Sequence, residues 1–252
     1  MSKVYFIGAG PGDPELITLK AVKIISQADV IIYAGSLINQ EILRYAKETA
    51  QIHNSASLNL EEILDLIKAA VKQDKIVARL HSGDPALFGA TGEQMELLAR
   101  EGIPFEVIPG VSSFLAAAAA LKKELTLPEV AQTVIITRLT GRTGVPEKES
   151  LSSLAKHQAS MCIFLSVHLM EKVVAELKEG FPPDTPVVVV EKVSWPAEKI
   201  IFGNLNSIAQ LVKAEKIEKT ALILVGDFLK FGLKKHSKLY AKNFTHGFRE
   251  GK

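Results

Sequence analysis

Short β-branched runs alternate with helix-patterned stretches along the chain, and this alternation narrows the choice of fold more than any other feature. Val4–Ile7, Val30–Tyr33, Ile76–Leu80, Phe105–Ile108, Thr133–Thr137, Met161–Leu165, Val187–Glu191 and Ala221–Val225 read as strands. Helical patterns lie between most of them. The clearest covers Leu60–Lys72, where Leu60, Ile63, Leu64, Ile67 and Val71 recur at helical spacing. A stripe of that kind belongs to core packing rather than to a binding surface. Strands separated by helices need crossover connections, so the sequence predicts an α/β fold with mainly parallel strands. One pair departs from this rule. Only a short turn through Ser194-Trp195-Pro196 joins Val187–Glu191 to Lys199–Phe202, no crossover helix fits there, and the pair is expected to be antiparallel.

The chain has 252 residues, about 1.7 times a typical domain of roughly 150. A boundary is expected over Lys122–Gln132, a charged segment with Pro128 that follows an alanine-rich helix. It separates an N-terminal α/β domain (1–121) carrying glycine-rich loops from a C-terminal α/β domain (122–252) with a mixed sheet and a basic tail. The end of that tail is expected to be loosely held. No repeat of fixed period is present.

Lys+Arg total 30 against 28 Asp+Glu, which lacks the basic excess of a nucleic-acid binder. The longest apolar run, Phe114 to Leu121, is far short of a membrane span. One cysteine, Cys162, allows neither an internal disulfide framework nor a cysteine-based zinc site, and a reduced cytoplasmic location fits. It sits in an apolar strand and is expected to be a buried, inert thiol. The six histidines show no i, i+4 pairing or metal-motif spacing, and no Gly-x-Ser-x-Gly elbow occurs.

Chemistry is expected in four loops that follow strands, where ligands gather in open α/β sheets. The first is Gly8-Ala9-Gly10-Pro11-Gly12-Asp13-Pro14. It is not a dinucleotide fingerprint: Asp13 replaces the third glycine, two prolines disturb the turn, and Tyr33-Ala34-Gly35 stands where a ribose-binding acid belongs. The second is His81-Ser82-Gly83-Asp84-Pro85. There Asp84 either accepts hydrogen bonds from a ligand or caps the following helix. The third, Pro109-Gly110-Val111-Ser112-Ser113, opens the alanine-rich helix and offers exposed amides to a polar ligand, or plain capping. The fourth is Thr137-Arg138-Leu139-Thr140-Gly141-Arg142, whose arginines suit carboxylates or a solvated surface.

Taken in order, the first three loops resemble the signatures of the tetrapyrrole (corrin/porphyrin) methylases. The likeness includes Leu16, Thr18 and Lys20 after the first loop and Phe88-Gly89 after the second, and it runs from Val4 to about Asp227. Within that family, His81-Ser82-Gly83-Asp84, Glu124-Leu125-Thr126-Leu127-Pro128-Glu129 and the fourth loop resemble the precorrin-4 carbon-11 methyltransferases. The anaerobic, cobalt-early branch is preferred over the aerobic, metal-free one. The resemblance implies two α/β domains with a ligand cleft between them, S-adenosyl-methionine as methyl donor, S-adenosyl-homocysteine as product, and a homodimer. It places donor contacts on Pro11, Ser82, Gly83, Asp84, Leu87, Ser112, Ser113, Leu165, Val193 and Ala221, and it assigns no catalytic side chain and no metal.

The methyl of a sulfonium is already electrophilic, so the protein mainly has to orient two reactants and exclude water. A base that later takes a ring proton is left unassigned, with His81 and Asp13 as candidates. A corrinoid rich in carboxylates calls for a local basic rim: Arg138 and Arg142 first, with Arg44 and Lys20 behind them. Two rival readings stay open. One is a family member acting on another ring carbon or on diphthine precursors. The other is a non-catalytic tetrapyrrole carrier or nucleotide-binding module.

Overall fold

The computed structural model describes residues 3–141, 144–230 and 241–251. The chain divides into two compact units, Met1–Ala116 with Lys192–Ala197, and Ala117–Glu191 with Glu198–Lys252.

The first unit is built on a five-stranded sheet of β1 (Val4–Gly8), β2 (Val30–Tyr33), β3 (Gln51–Asn54), β4 (Val77–His81) and β5 (Phe105–Ile108), in the order β3-β2-β4-β1-β5. Every pairing in it is parallel. Alternate side chains leave opposite faces of each strand. Ile7, Ile31, Leu80 and Ile108 therefore pack on one face with Ala21 and Ile25 of α1 (Leu19–Ile25). Phe6, Ile32 and Val77 pack on the other with Ile63, Leu64 and Ile67 of α2 (Leu60–Lys72) and Leu98 of α3 (Gly92–Arg100). Both faces are covered, as a parallel sheet requires.

β3 is a strand that the sequence pattern does not mark. Gln51-Ile52-His53-Asn54 is polar, and Ile52 is exposed, because an edge strand with little to bury carries no apolar alternation. The other expected strands occur within a residue of their predicted starts and ends, apart from Lys199–Phe202, which extends to Asn204.

The second unit holds β6 (Val134–Arg138), β7 (Ser160–Phe164), β8 (Pro186–Glu191), β9 (Lys199–Asn204) and β10 (Ala221–Val225), in the order β6-β7-β10-β8-β9. Only β6–β7 is parallel; β8–β9 is the antiparallel hairpin that its short turn demands, and it runs two residues longer than the pattern indicates. α5 (Leu151–Ala155), α6 (Met170–Leu177) and α7 (Ile208–Ala214) cover one face through Leu151, Val173, Leu177, Ile208 and Val212. Cys162 is wholly buried, and burial pushes its thiol up to about 12, so it stays protonated and inert. No helix among the described residues is long and apolar enough to cross a membrane.

Candidate functional site

β4, β1 and β5 are neighbours in the first sheet, so their carboxyl-end loops, the three glycine-rich segments, emerge side by side. They interlock through backbone. Gly10 and Gly83 exchange amide hydrogen bonds, Gly83 N–H to Gly10 O at 2.8 Å and Gly10 N–H to Gly83 O at 3.3 Å, and Ala9 N–H donates to His81 O at 2.8 Å. Gly8, Gly83 and Gly110 then meet at one point. A methyl group on Gly8 would lie 2.6 Å from Gly110 Cα, and one on Gly110 would lie 2.2 Å from Gly83 O. Glycine is needed at Gly8 and Gly110 because three backbones share a space that would not hold a side chain.

Asp84 ties this corner together. Its Oδ1 accepts from Ala86 N–H and its Oδ2 from Gly110 N–H, both at 2.8 Å. The carboxylate thus caps its own turn and fastens the second loop to the third. Leu87, half-buried, sits in that turn with its N–H on Asp84 O at 3.2 Å. Ser112 is only 4% exposed and adjoins Gly83, whose φ is +64°. The hydroxyls of Ser82, Ser112 and Ser113 accept and donate no hydrogen bond among the described residues, which leaves them open to a polar ligand. Ser113 opens α4 (Ser113–Ala120), where Leu115 N–H and Ala116 N–H donate to Ser112 O at 3.1 and 3.2 Å.

The first loop is braced from behind. Trp195 Nε1–H donates to Pro11 O at 3.0 Å, Asp13 N–H donates to Ser194 Oγ at 2.9 Å, and Asn39 Nδ2–H donates to Gly12 O at 3.0 Å. Val193, buried at 5% exposure, lies in the same turn as Ser194 and Trp195. Sequence alone reads that turn as a connector and misses these braces. The available signal is the position of the chain's one tryptophan in a hairpin tip.

The two base candidates differ in their settings. His81 is 3% exposed and stacks on Phe6 at 5.9 Å; burial first, and then the charge of Arg79, push its imidazole down to about 3. It is a neutral core group stacked on Phe6, which packs on the α2–α3 face of the sheet. Asp13 caps the turn at Pro14–Leu16, its Oδ1 accepting from Glu15 N–H at 2.8 Å.

In the second unit, Leu165 follows β7 with φ +54° and is 57% exposed. Continuing the β7–β10 register from Ile163↔Ile223 by two residues sets Ala221 opposite it. Ser166 Oγ donates to Phe164 O at 2.6 Å and accepts from Leu139 N–H at 2.9 Å, which pins the ends of β6 and β7 together. Arg138 closes on its own loop, Nη2–H to Gly144 O at 3.0 Å. Arg142 lies outside the described residues. Lys20 is paired with Glu106, whose carboxyl Lys20 and Lys3 together pull down to about 2. Arg44 donates to Tyr45 Oη at 3.1 Å and lies over its ring. A separate cavity of about 760 Å³ beside α6 and α7, lined by Val167, Met170, Val212, Lys213, Lys216 and Ile217 among others, includes none of the nominated residues.

A parallel sheet whose glycine corners open at the carboxyl ends of three adjacent strands defines the class. The family model for tetrapyrrole (corrin/porphyrin) methylases matches residues 3–209, and the chain belongs to that family. It is 58% identical over 249 residues, 98% of this chain and 96% of the relative, to a cobalt-precorrin-4 C(11)-methyltransferase of Methanocaldococcus jannaschii. Among solved structures it resembles a cobalt precorrin-4 methyltransferase of cobalamin biosynthesis, with TM-score 0.88 and 47% identity, covering 90% of this chain and 96% of that one. It also resembles a uroporphyrin-III C-methyl transferase from Thermus thermophilus complexed with S-adenyl homocysteine, with TM-score 0.75 and 30% identity, covering 92% and 96%.

Proposed function

We infer that this chain is an S-adenosyl-methionine-dependent C-methyltransferase that methylates carbon 11 of cobalt-precorrin-4 in anaerobic cobalamin biosynthesis. Near-full-length kinship with a cobalt-precorrin-4 C(11)-methyltransferase supports the reaction. The observation that carries the donor site is the Gly8–Gly83–Gly110 corner with the unbonded Ser112 hydroxyl beside it. When bound, the donor supplies a methyl group activated by its sulfonium.

The chain's own part is to orient and to enclose. In this reading Pro11, Ser82, Gly83, Asp84, Leu87, Ser112, Ser113 and Val193 contact the donor, and Asp84 also fixes the loop shape. Leu165 and Ala221 are also proposed as donor contacts. Correct orientation of two reactants is worth roughly 7–11 kcal/mol of barrier, which makes positioning the main catalytic device. Arg138 and Arg142 are assigned to carboxylates of the corrinoid.

The decisive assay supplies S-adenosyl-methionine with cobalt-precorrin-4 and, separately, with its metal-free counterpart. Methylation at carbon 11 of the cobalt form is expected; faster turnover of the metal-free form would move the enzyme to the aerobic reaction. Calorimetry with S-adenosyl-homocysteine should saturate, and absence of heat and saturation would favour a non-catalytic module. Arg138→Ala should weaken corrinoid binding and leave donor binding intact; unchanged corrinoid affinity would remove Arg138 from the site.

The enzyme is further proposed to be a cytoplasmic homodimer. The free, buried Cys162 suits a reducing compartment, and the dimer rests on family resemblance. A monomer mass by light scattering would contradict the dimer.

A further inference from the structure

The hairpin joining β8 to β9 ends in Lys192–Ala197, and this tip clusters with the first unit, against the glycine-rich loop. Three features show that the contact is specific. The indole covers Gly12 so closely that a methyl group there would lie 1.9 Å from Trp195 Cδ1 and 2.1 Å from Nε1. The same ring donates Nε1–H to Pro11 O at 3.0 Å, and the neighbouring Ser194 Oγ accepts from Asp13 N–H at 2.9 Å. Lys192 and Ser194 both hold left-handed backbone, with φ of +47° and +63°, and Trp195 N–H closes the turn on Lys192 O at 2.9 Å. That conformation is uncommon for non-glycine residues and costs roughly 1–2 kcal/mol for each. The tip is therefore held in one shape, and it touches three consecutive residues of the loop: Pro11, Gly12 and Asp13.

We propose that Trp195 is a positioning residue for methyl transfer: its indole fixes the Pro11–Asp13 backbone in the form that receives the methyl donor. The inference rests on the donor site assigned above. Gly12 is thereby explained by a protein side chain, since the indole already fills the space over its α-carbon. The Pro11 carbonyl, engaged by an indole N–H, is held in one orientation. A loop bonded in this way loses little conformational freedom on binding, which favours affinity.

The test compares wild type, Trp195→Phe, Trp195→Ala and Gly12→Ala, with S-adenosyl-homocysteine as the probe. Wild-type binding is measured first by calorimetry; its failure would overturn the donor-site reading itself. Given wild-type binding, Trp195→Phe should lower the melting temperature by only about 2–4 °C, the cost of one hydrogen bond, because a ring still covers Gly12. It should weaken donor affinity about 5–10-fold, because the released Pro11–Asp13 backbone must then be ordered on binding. Donor KM should rise in step while corrinoid KM stays the same. Trp195→Ala should lose more, and Phe should rescue part of that loss. Gly12→Ala should be harmful alone and less so with Trp195→Ala, which relieves the clash but not the strain of φ +159°. Because Trp195 is the chain's one tryptophan, wild-type emission should also change on donor binding. Unchanged donor affinity in both Trp195 variants would reduce the indole to filler and overturn the proposal.

Discussion

Gly110 stands where three backbones leave no room, and its replacement separates packing from chance composition. Gly110→Ala puts a methyl 2.2 Å from Gly83 O and 2.7 Å from Gly8 Cα. We expect a cost on the order of 1–3 kcal/mol and loss of donor binding. Gly92, where an added methyl at the start of α3 would meet nothing within 4 Å, is the control, and Gly92→Ala should be neutral or slightly stabilising in urea unfolding. Asp84→Asn replaces one acceptor by an amide donor facing an N–H. The variant should lose about 1–3 kcal/mol and bind the donor more weakly. His81 gives a pH signature. Its imidazole titrates near 3 when folded, against 6.5 ordinarily, so between those values the unfolded chain takes up a proton that the folded chain refuses. Stability is whole above about pH 6.5 and falls as pH drops, on the order of 1.4 kcal/mol per unit. His81→Gln should flatten that slope in urea melts at about pH 7 and about pH 5.5; parallel slopes would contradict the account.

Single elements carry their own signals, and these differ in how plainly the sequence displays them. α2 displays everything: an apolar stripe, and a capping box in which Asn59 Oδ1 accepts from Glu62 N–H at 2.9 Å while Glu62 Oε2 accepts from Asn59 N–H at 2.8 Å. Asn59→Ala should lower stability by about 1 kcal/mol and leave donor affinity unchanged, because the cap holds a helix remote from the corner. β3 displays almost nothing, since an exposed edge strand has no face to bury. The β8–β9 turn displays its length, which suffices for antiparallel pairing, but not its destination. Nothing in Ser194-Trp195-Pro196 says that the indole meets Gly12, for the two are far apart in sequence and joined only by folding.

Across the whole molecule, the nominated residues fall into groups that a ligand should report together. Hydrogen exchange with saturating S-adenosyl-homocysteine should slow at 9–13, 82–87, 110–114 and 193–195, and leave the α6–α7 cavity unchanged. Protection at 165–167 and 220–222 would support Leu165 and Ala221 as donor contacts; none there would remove them. The order of residues is enough to dictate the α/β class, the central strands, α2 and the succession of glycine loops, because burial periodicity and glycine punctuation are local properties of the chain. What those loops do is settled only by folding. Strand order makes β4, β1 and β5 adjacent and so brings Gly8, Gly83 and Gly110 into contact. The same packing turns Asp84 into a backbone clamp, seals His81 in the core, and lays Trp195 on Gly12. Each of these roles depends on contacts between residues distant in the chain, which local patterns do not encode.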